Sequence, residues 1–107
     1  MYRSRQAPNI SFSLKSSNVN SMVNAIVEHR WKPEDEEKVF SVVGSIIEMS
    51  KSGKLPEGFK LGSVNVIGEE RRAICNWEAP GVSELEGLVR EVSPPTEFRV
   101  FEAKRIL

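Results

Sequence analysis

A short pattern occurs twice in this chain, and it limits the fold more than any other feature of the sequence. In each copy a run of alternating apolar and polar residues reaches a tryptophan and then a proline, and acidic residues follow. Alternation is typical of a half-buried β-strand, and proline with acidic neighbours is typical of a helix start. Trp31 and Trp77 are 46 residues apart, about the length of one strand–helix–strand unit. The sequence therefore predicts two similar halves.

The first half is predicted to form a strand over 23–31 and then a helix. The acidic run 34–37 lies where a helix start favours carboxylates, and 51–54 supplies lysines and a glycine where a helix ends. Apolar residues at spacings of three and four predict one buried stripe along this helix. Its members are Val39, Phe40, Val43, Ile46 and Ile47.

The second half is predicted to begin with a hairpin. Strands over 59–67 and 71–78 flank the glycine-bearing turn Gly68-Glu69-Glu70. Simple alternation gives the strand over 59–67 two faces, with Val64 and Val66 on one and Leu61 and Ile67 on the other. A second helical stripe consists of Val82, Leu85, Leu88, Val89 and Val92. Pro94 and Pro95 end that helix, and a fourth strand is predicted over 96–106.

The predicted element order is βαββαβ, which is the order of the α+β ferredoxin-like fold. Two right-handed crossovers interlock into a four-stranded antiparallel sheet of order 4-1-3-2, with both helices on one face. Strands one and three are then central, and we expect them to be parallel neighbours. The opposite face of the sheet stays open, and a two-fold homodimer packed sheet on sheet would enclose it.

The composition excludes several classes of protein. Fifteen basic side chains balance fifteen acidic ones, so the 107 residues have no bulk attraction to nucleic acid or to anionic membranes. A single cysteine excludes a disulfide within the chain and fits a cytoplasmic location. A single histidine excludes a histidine-rich metal site, and no apolar run approaches the length that spans a bilayer.

Residues 1–21 differ from the rest of the chain in charge. They carry Arg3, Arg5 and Lys15 without any acidic residue, and they are rich in serine and asparagine. Because such a segment has little apolar surface to bury, we expect a disordered or non-native leader. A single ferredoxin-like domain is expected over residues 22–107.

The alternation also assigns the side chains of the central strands to two faces. The more apolar set, expected under the helices, is Val23, Ala25, Val27, Trp31, Ala73, Cys75 and Trp77. The open face is predicted to carry a ligand pocket made of Asn24, Ile26, Glu28, Arg30, Ile74, Asn76 and Glu78, joined by Phe98 or Phe101. RNA-recognition modules with this topology place aromatic residues on the open face of these two strands, so the set argues against nucleic-acid binding.

The run 73–80 (Ala-Ile-Cys-Asn-Trp-Glu-Ala-Pro), followed by a short helix, two prolines and a final strand, resembles small members of the dimeric α/β-barrel superfamily. The resemblance covers residues 22–107 and carries over Cys75, Trp77, Glu78 and Pro80. It implies a homodimer that forms an α/β barrel. Relatives in that superfamily include nickel-responsive proteins, cofactor-free monooxygenases and enzymes similar to muconolactone isomerase.

Two pairs of side chains are candidates for chemistry. Glu28 and Glu78 on adjacent strands could share a proton and act as a general base, or a carboxylate could pair with Arg30 or Arg99. His29 and Cys75 point to the same predicted face. They are candidates for a nucleophile with its base or for two ligands of nickel, copper or zinc. The alternative for them is a buried thiol and a hydrogen-bonded histidine.

These observations predict a small-molecule-binding homodimer, or a cofactor-free enzyme that acts on a small organic compound. The alternative from a different class is a non-enzymatic metal-binding protein or a sensor or interaction module. No cofactor, nucleic acid or membrane is expected as a partner.

Overall fold

The computed structural model describes residues 22–107, so the predicted leader 1–21 lies outside the described residues. The strands are β1 (Val23–Arg30), β2 (Lys60–Ile67), β3 (Arg72–Ala79) and β4 (Glu97–Ala103), and the helices are α1 (Glu36–Lys51) and α2 (Val82–Val92). Short 3₁₀ turns at Pro33–Asp35 and Gly68–Glu70 precede α1 and join β2 to β3. The predicted βαββαβ order is confirmed.

The four strands form one sheet of order β2–β3–β1–β4, in which every neighbouring pair is antiparallel. This is the predicted α+β ferredoxin-like arrangement. The prediction that β1 and β3 are parallel was wrong. The first crossover, through α1, makes β2 run parallel to β1. The hairpin then reverses the chain, so β3 must run antiparallel to β1.

The register of the central strands confirms the predicted division into two faces. Ala25 lies opposite Trp77 and Val27 lies opposite Cys75, and all four side chains are buried under the helices. On α2 the stripe is confirmed, because Leu85 and Val89 are buried at its centre. The helix-covered face therefore carries the core.

The stripe predicted on α1 is confirmed only in part. Val39 is buried, and Val43 and Ile46 pack against the core, but Phe40 is 45% exposed. Successive residues of a helix are about 100° apart around its axis. Val39 lies at the centre of the buried stripe, so Phe40 lies at the edge of the stripe. Its ring meets Trp31 edge to face, with centroids 6.0 Å apart.

A β-bulge in β2 overturns the predicted faces of that strand. Leu61 pairs with Trp77 and Ser63 with Asn76, so Gly62 is an extra residue in the strand. The extra residue places Leu61 on the same side as Val64, against the core, where simple alternation had put them on opposite faces. A Cβ atom at Gly62 would lie 3.3 Å from the Asn76 carbonyl oxygen, so glycine suits this close approach.

Candidate functional site

An apolar cleft lies between the two helices and the sheet, with an enclosed volume of about 50 Å³. The helix α1 and the sheet provide Val39, Val42, Val43, Ile46, His29, Val64, Ala73, Cys75 and Trp77. The helix α2 and the turn that follows it provide Leu88, Val89, Val92, Pro94 and Thr96. Asp, Glu, Lys and Arg are absent from this lining.

The cleft divides the core into two clusters. One buried cluster contains Leu85 and Val89 of α2, and the other contains Val39 of α1 with Trp31 and Ala73. Members of both clusters line the cleft, which therefore lies where they meet. At this point small side chains of the sheet lie opposite valines of the helices. Neither set of side chains is long enough to fill the space between the sheet and the helices.

His29 and Thr96 place a hydrogen-bonded pair in the cleft wall. His29 Nδ1 lies 2.9 Å from Thr96 Oγ1, and the imidazole ring is tilted by 44° against the Phe98 ring. Burial lowers the pKa of His29 below its usual 6.5, so the imidazole is neutral at pH 7. A neutral imidazole held at one nitrogen can still donate or accept a hydrogen bond at the other.

Cys75 lies in the floor of the same cleft as an inert thiol. Burial raises the pKa of Cys75 to about 11, so the sulfur stays protonated at neutral pH. The thiolate is the form that attacks an electrophile or binds a metal ion. The buried environment of Cys75 therefore argues against a nucleophilic role.

No hydrogen bond among the described residues joins the predicted pair of His29 and Cys75. His29 lies opposite Ala73 and Cys75 lies opposite Val27, so the two are diagonal neighbours, roughly 7–8 Å apart. Within residues 22–107 there is no group of three or more side chains suited to hold a metal ion. The structure shows a buried thiol and a hydrogen-bonded histidine, the alternative left open by the sequence.

The structure does not bring Glu28 and Glu78 together within one chain. Glu28 lies opposite Ile74 and Glu78 lies opposite Asn24, four positions earlier in β1. At about 3.3 Å per residue the two carboxylates are separated by roughly 13 Å along the strands, too far to share a proton. The proposed carboxylate pair is therefore not formed, because antiparallel register decides which residues of adjacent strands meet.

Glu28 is held instead by arginines on the open face. Arg72 donates from Nε to Glu28 Oε2 at 3.0 Å, and Arg72 Nη2 and Arg30 Nη2 lie 2.8 and 3.7 Å from the same oxygen. Arg99, the other predicted partner, has its guanidinium 4.9 Å from the centroid of the Phe101 ring. This arrangement makes Glu28 the centre of an ion-pair network.

We expect Glu28→Gln to lower the free energy of unfolding by about 1–3 kcal/mol, because the change weakens hydrogen bonds to a charged partner. The Glu28 side chain is only 17% exposed, so solvent screens the pair less than it screens a surface pair. Urea denaturation measures the effect. Glu86→Gln is the matched control, since its pair with Arg90 is exposed on α2 and is expected to contribute about 0.5 kcal/mol or less. Equal losses in both variants would contradict the prediction.

All seven residues predicted as a ligand pocket lie on the open face, as the register of β1 and β3 shows: Asn24, Ile26, Glu28, Arg30, Ile74, Asn76 and Glu78. From β4, Phe101 joins them opposite Ile26, whereas Phe98 lies opposite His29 on the helix-covered side. None of the seven lines the cleft, so in a single chain they form a surface. Their enclosure by a second copy stays a prediction.

Sequence reasoning missed the cleft because it assigned these residues to a filled core. A signal was present in the small side chains at the centre of β3, Ala73 and Cys75, and in the valines at positions 39, 42, 43 and 89. Small residues facing β-branched residues across a layer leave volume unfilled. Alternation identifies the buried face but not whether that face is filled.

No protein-family model matches the sequence, and no curated protein is significantly similar to it. Among solved structures, the crystal structure of a conserved protein from Methanosarcina mazei Go1 is similar, with a TM-score of 0.48 and 18% sequence identity. The similarity covers 78% of this chain and 93% of that chain. Among residues 22–107 no helix is both long and apolar enough to cross a membrane.

Proposed function

We propose that this protein binds a small, mainly apolar organic molecule in the cleft between the helices and the sheet. The observation that carries the proposal is an almost wholly apolar space, lined from both helices and three strands, at the junction of the two core clusters. Protein interiors hold few voids larger than a water molecule, so an apolar space here is a candidate binding site. Binding sites for small molecules are typically concave and mostly apolar.

The size of the cleft limits the ligand. Its enclosed volume of about 50 Å³ is a third of the ~150 Å³ apolar cavity known to hold benzene. The enclosed part therefore accommodates a small alkyl group or the edge of an aromatic ring. The rest of the ligand would lie in the part of the cleft that opens to solvent.

The chemistry of the lining favours binding over catalysis. Cys75 is protonated and His29 is neutral, and no carboxylate or ammonium group lines the cleft. An enzyme acting on the bound molecule without a cofactor would depend on His29 as its general base, since a neutral imidazole accepts a proton. The metal-binding alternative has two separated ligands and no third among residues 22–107.

Filling the cleft tests the proposal. Val43→Phe places a phenyl ring in the cleft, and we expect it to abolish binding of small aromatic probes that the unchanged protein binds. Val66→Phe is the matched control, because Val66 lies on the same side of the sheet but is 42% exposed and does not line the cleft. Thermal-shift and NMR titrations with phenol and benzene measure binding. Probe binding that survives Val43→Phe, or a probe panel that shifts no cleft resonance in the unchanged protein, would overturn the proposal.

We also propose that two copies pair through their open sheet faces in a homodimer. An apolar stripe supports this, because Ile26 lies opposite Phe101 and Ile74 lies on the adjacent strand of the same face. Phe101 is 39% exposed, which is unfavourable for a large aromatic side chain left in water. Next to the stripe, Glu28 is already paired with Arg72, so that carboxylate would not enter the interface without a partner.

A cytoplasmic location is proposed on the state of Cys75. It is the single cysteine of the sequence, and it is a free, buried thiol. A domain that depends on core packing and contains no disulfide within the chain fits a reducing compartment.

A further inference from the structure

We infer that the ligand of the cleft carries one uncharged hydrogen-bonding group on its apolar body, and that His29 Nε2 binds this group. The inference rests on the proposed function, because it names the chemical class that the same cleft selects. Its basis is the arrangement of the few polar atoms in the lining.

The hydroxyl of Thr96 is already used within the protein. Thr96 Oγ1 and His29 Nδ1 are 2.9 Å apart, so each occupies a hydrogen-bonding position of the other. None of the hydrogen bonds among residues 22–107 uses His29 Nε2. Among these residues, Arg71 Nε is the single fully buried side-chain nitrogen or oxygen without a hydrogen-bond partner. His29 Nε2 also has no partner among them, so it is not fully buried. Within the part of the chain that the structure describes, His29 Nε2 is therefore accessible and makes no hydrogen bond.

The pairing with Thr96 also fixes what His29 Nε2 can recognise. If the Thr96 hydroxyl donates to Nδ1, the proton of the neutral ring is on Nε2, which then donates to a ligand oxygen. If Nδ1 donates to Thr96, Nε2 accepts from a ligand hydroxyl. A phenol or an alcohol satisfies either arrangement, because its hydroxyl both donates and accepts. Thr96 is thus a positioning residue that orients the ring.

A charged ligand group does not fit this cleft. A buried carboxylate or ammonium group needs an opposite charge, and the lining contains no Asp, Glu, Lys or Arg. The titratable groups that line it are His29 and Cys75, and burial keeps both uncharged at neutral pH. The selected class is therefore small neutral phenols and alcohols.

Three probes with the same ring test this selection in the full chain: phenol, benzene and benzoate. We expect phenol to bind about threefold to tenfold more tightly than benzene, the gain of one hydrogen bond, and benzoate not to bind at pH 7.5. Phenol should shift the ¹⁵N resonance of His29 Nε2, and benzene should leave it nearly unchanged. In His29→Phe the affinity for phenol should fall to that for benzene. Thr96→Val should weaken phenol binding more than it weakens benzene binding.

The outcomes separate this inference from the proposed function. Equal affinity for phenol and benzene, or an unmoved Nε2 resonance on phenol binding, would overturn the role of His29 while cleft binding itself survives. Benzoate binding that strengthens as the pH falls would overturn the selection for uncharged groups, because it would show a carboxylate paired with an imidazolium. If neither phenol nor benzene perturbs the cleft, the proposed function itself falls. The Nε2 resonance is measured in the unchanged protein, so the test does not depend on the folding of His29→Phe.

Discussion

Leu85→Ala is expected to lower the free energy of unfolding by about 2–5 kcal/mol, the range for truncating a buried leucine. Leu85 is fully buried at the centre of the α2 stripe. Ala25 and Ala79, two of the buried residues of the same cluster, are themselves small, so the neighbouring side chains have little capacity to move into the space. Since domains of this size are stable by only about 5–15 kcal/mol, the loss would remove a large share of the total.

Urea denaturation followed by tryptophan fluorescence measures this loss. Trp31 and Trp77 are 8% and 6% exposed, so both report on unfolding of the core. Leu107→Ala is the matched control, because the same change is made at a fully exposed position and is expected to alter stability by less than about 0.5 kcal/mol. A loss below about 1 kcal/mol for Leu85→Ala would show that the α2 stripe does not pack as the structure describes.

Ile26→Asp is expected to abolish the proposed homodimer, weakening association at least about a hundredfold. Ile26 lies on the central strand β1, opposite Phe101 on one side and Asn76 on the other, in the middle of the open face. A carboxylate at the centre of a sheet-on-sheet interface would be buried without a partner, and would face its own copy across the two-fold axis. A substitution that truncates or charges a side chain at the centre of an interface weakens association far more than a substitution at the rim of the interface.

Sedimentation velocity over a concentration series of the full chain measures the association. Ile106→Asp is the control for added charge, because Ile106 is 92% exposed and lies after the end of β4. The expected result is a dimer for the unchanged protein and for Ile106→Asp, and a folded monomer for Ile26→Asp. A monomer at every concentration in the unchanged protein would refute the homodimer, and a dimer that persists in Ile26→Asp would place the interface elsewhere.

Residues close together in the sequence were sufficient to predict the elements and their faces. Val27 and Cys75 were assigned to the helix-covered side and Ile74 to the open side, because alternation along a strand depends only on neighbouring residues. One error in the faces lies where that alternation is interrupted. At Gly62 one extra residue moves Leu61 to the other face, and a glycine within a strand is the single local sign of such a bulge.

The candidate sites depended on information that a one-dimensional pattern does not contain. Glu28 and Glu78 share a strand face, as predicted, but the register places them four positions apart. His29 and Cys75 share the opposite face without a recorded hydrogen bond between them, and the partner of His29 is Thr96, 67 residues away in the chain. Such pairings follow from which strands become neighbours and in what register.

The order of the elements, the two similar halves and the side of the sheet on which the core forms all follow from the sequence, because local periodicity and helix-end chemistry act over a few residues. Packing of the helices on the sheet creates the apolar cleft in the core, brings His29 in its wall to Thr96, and pairs Glu28 with Arg72. These features arise from distances between residues far apart in the chain, and such distances are fixed only when helices and strands pack together.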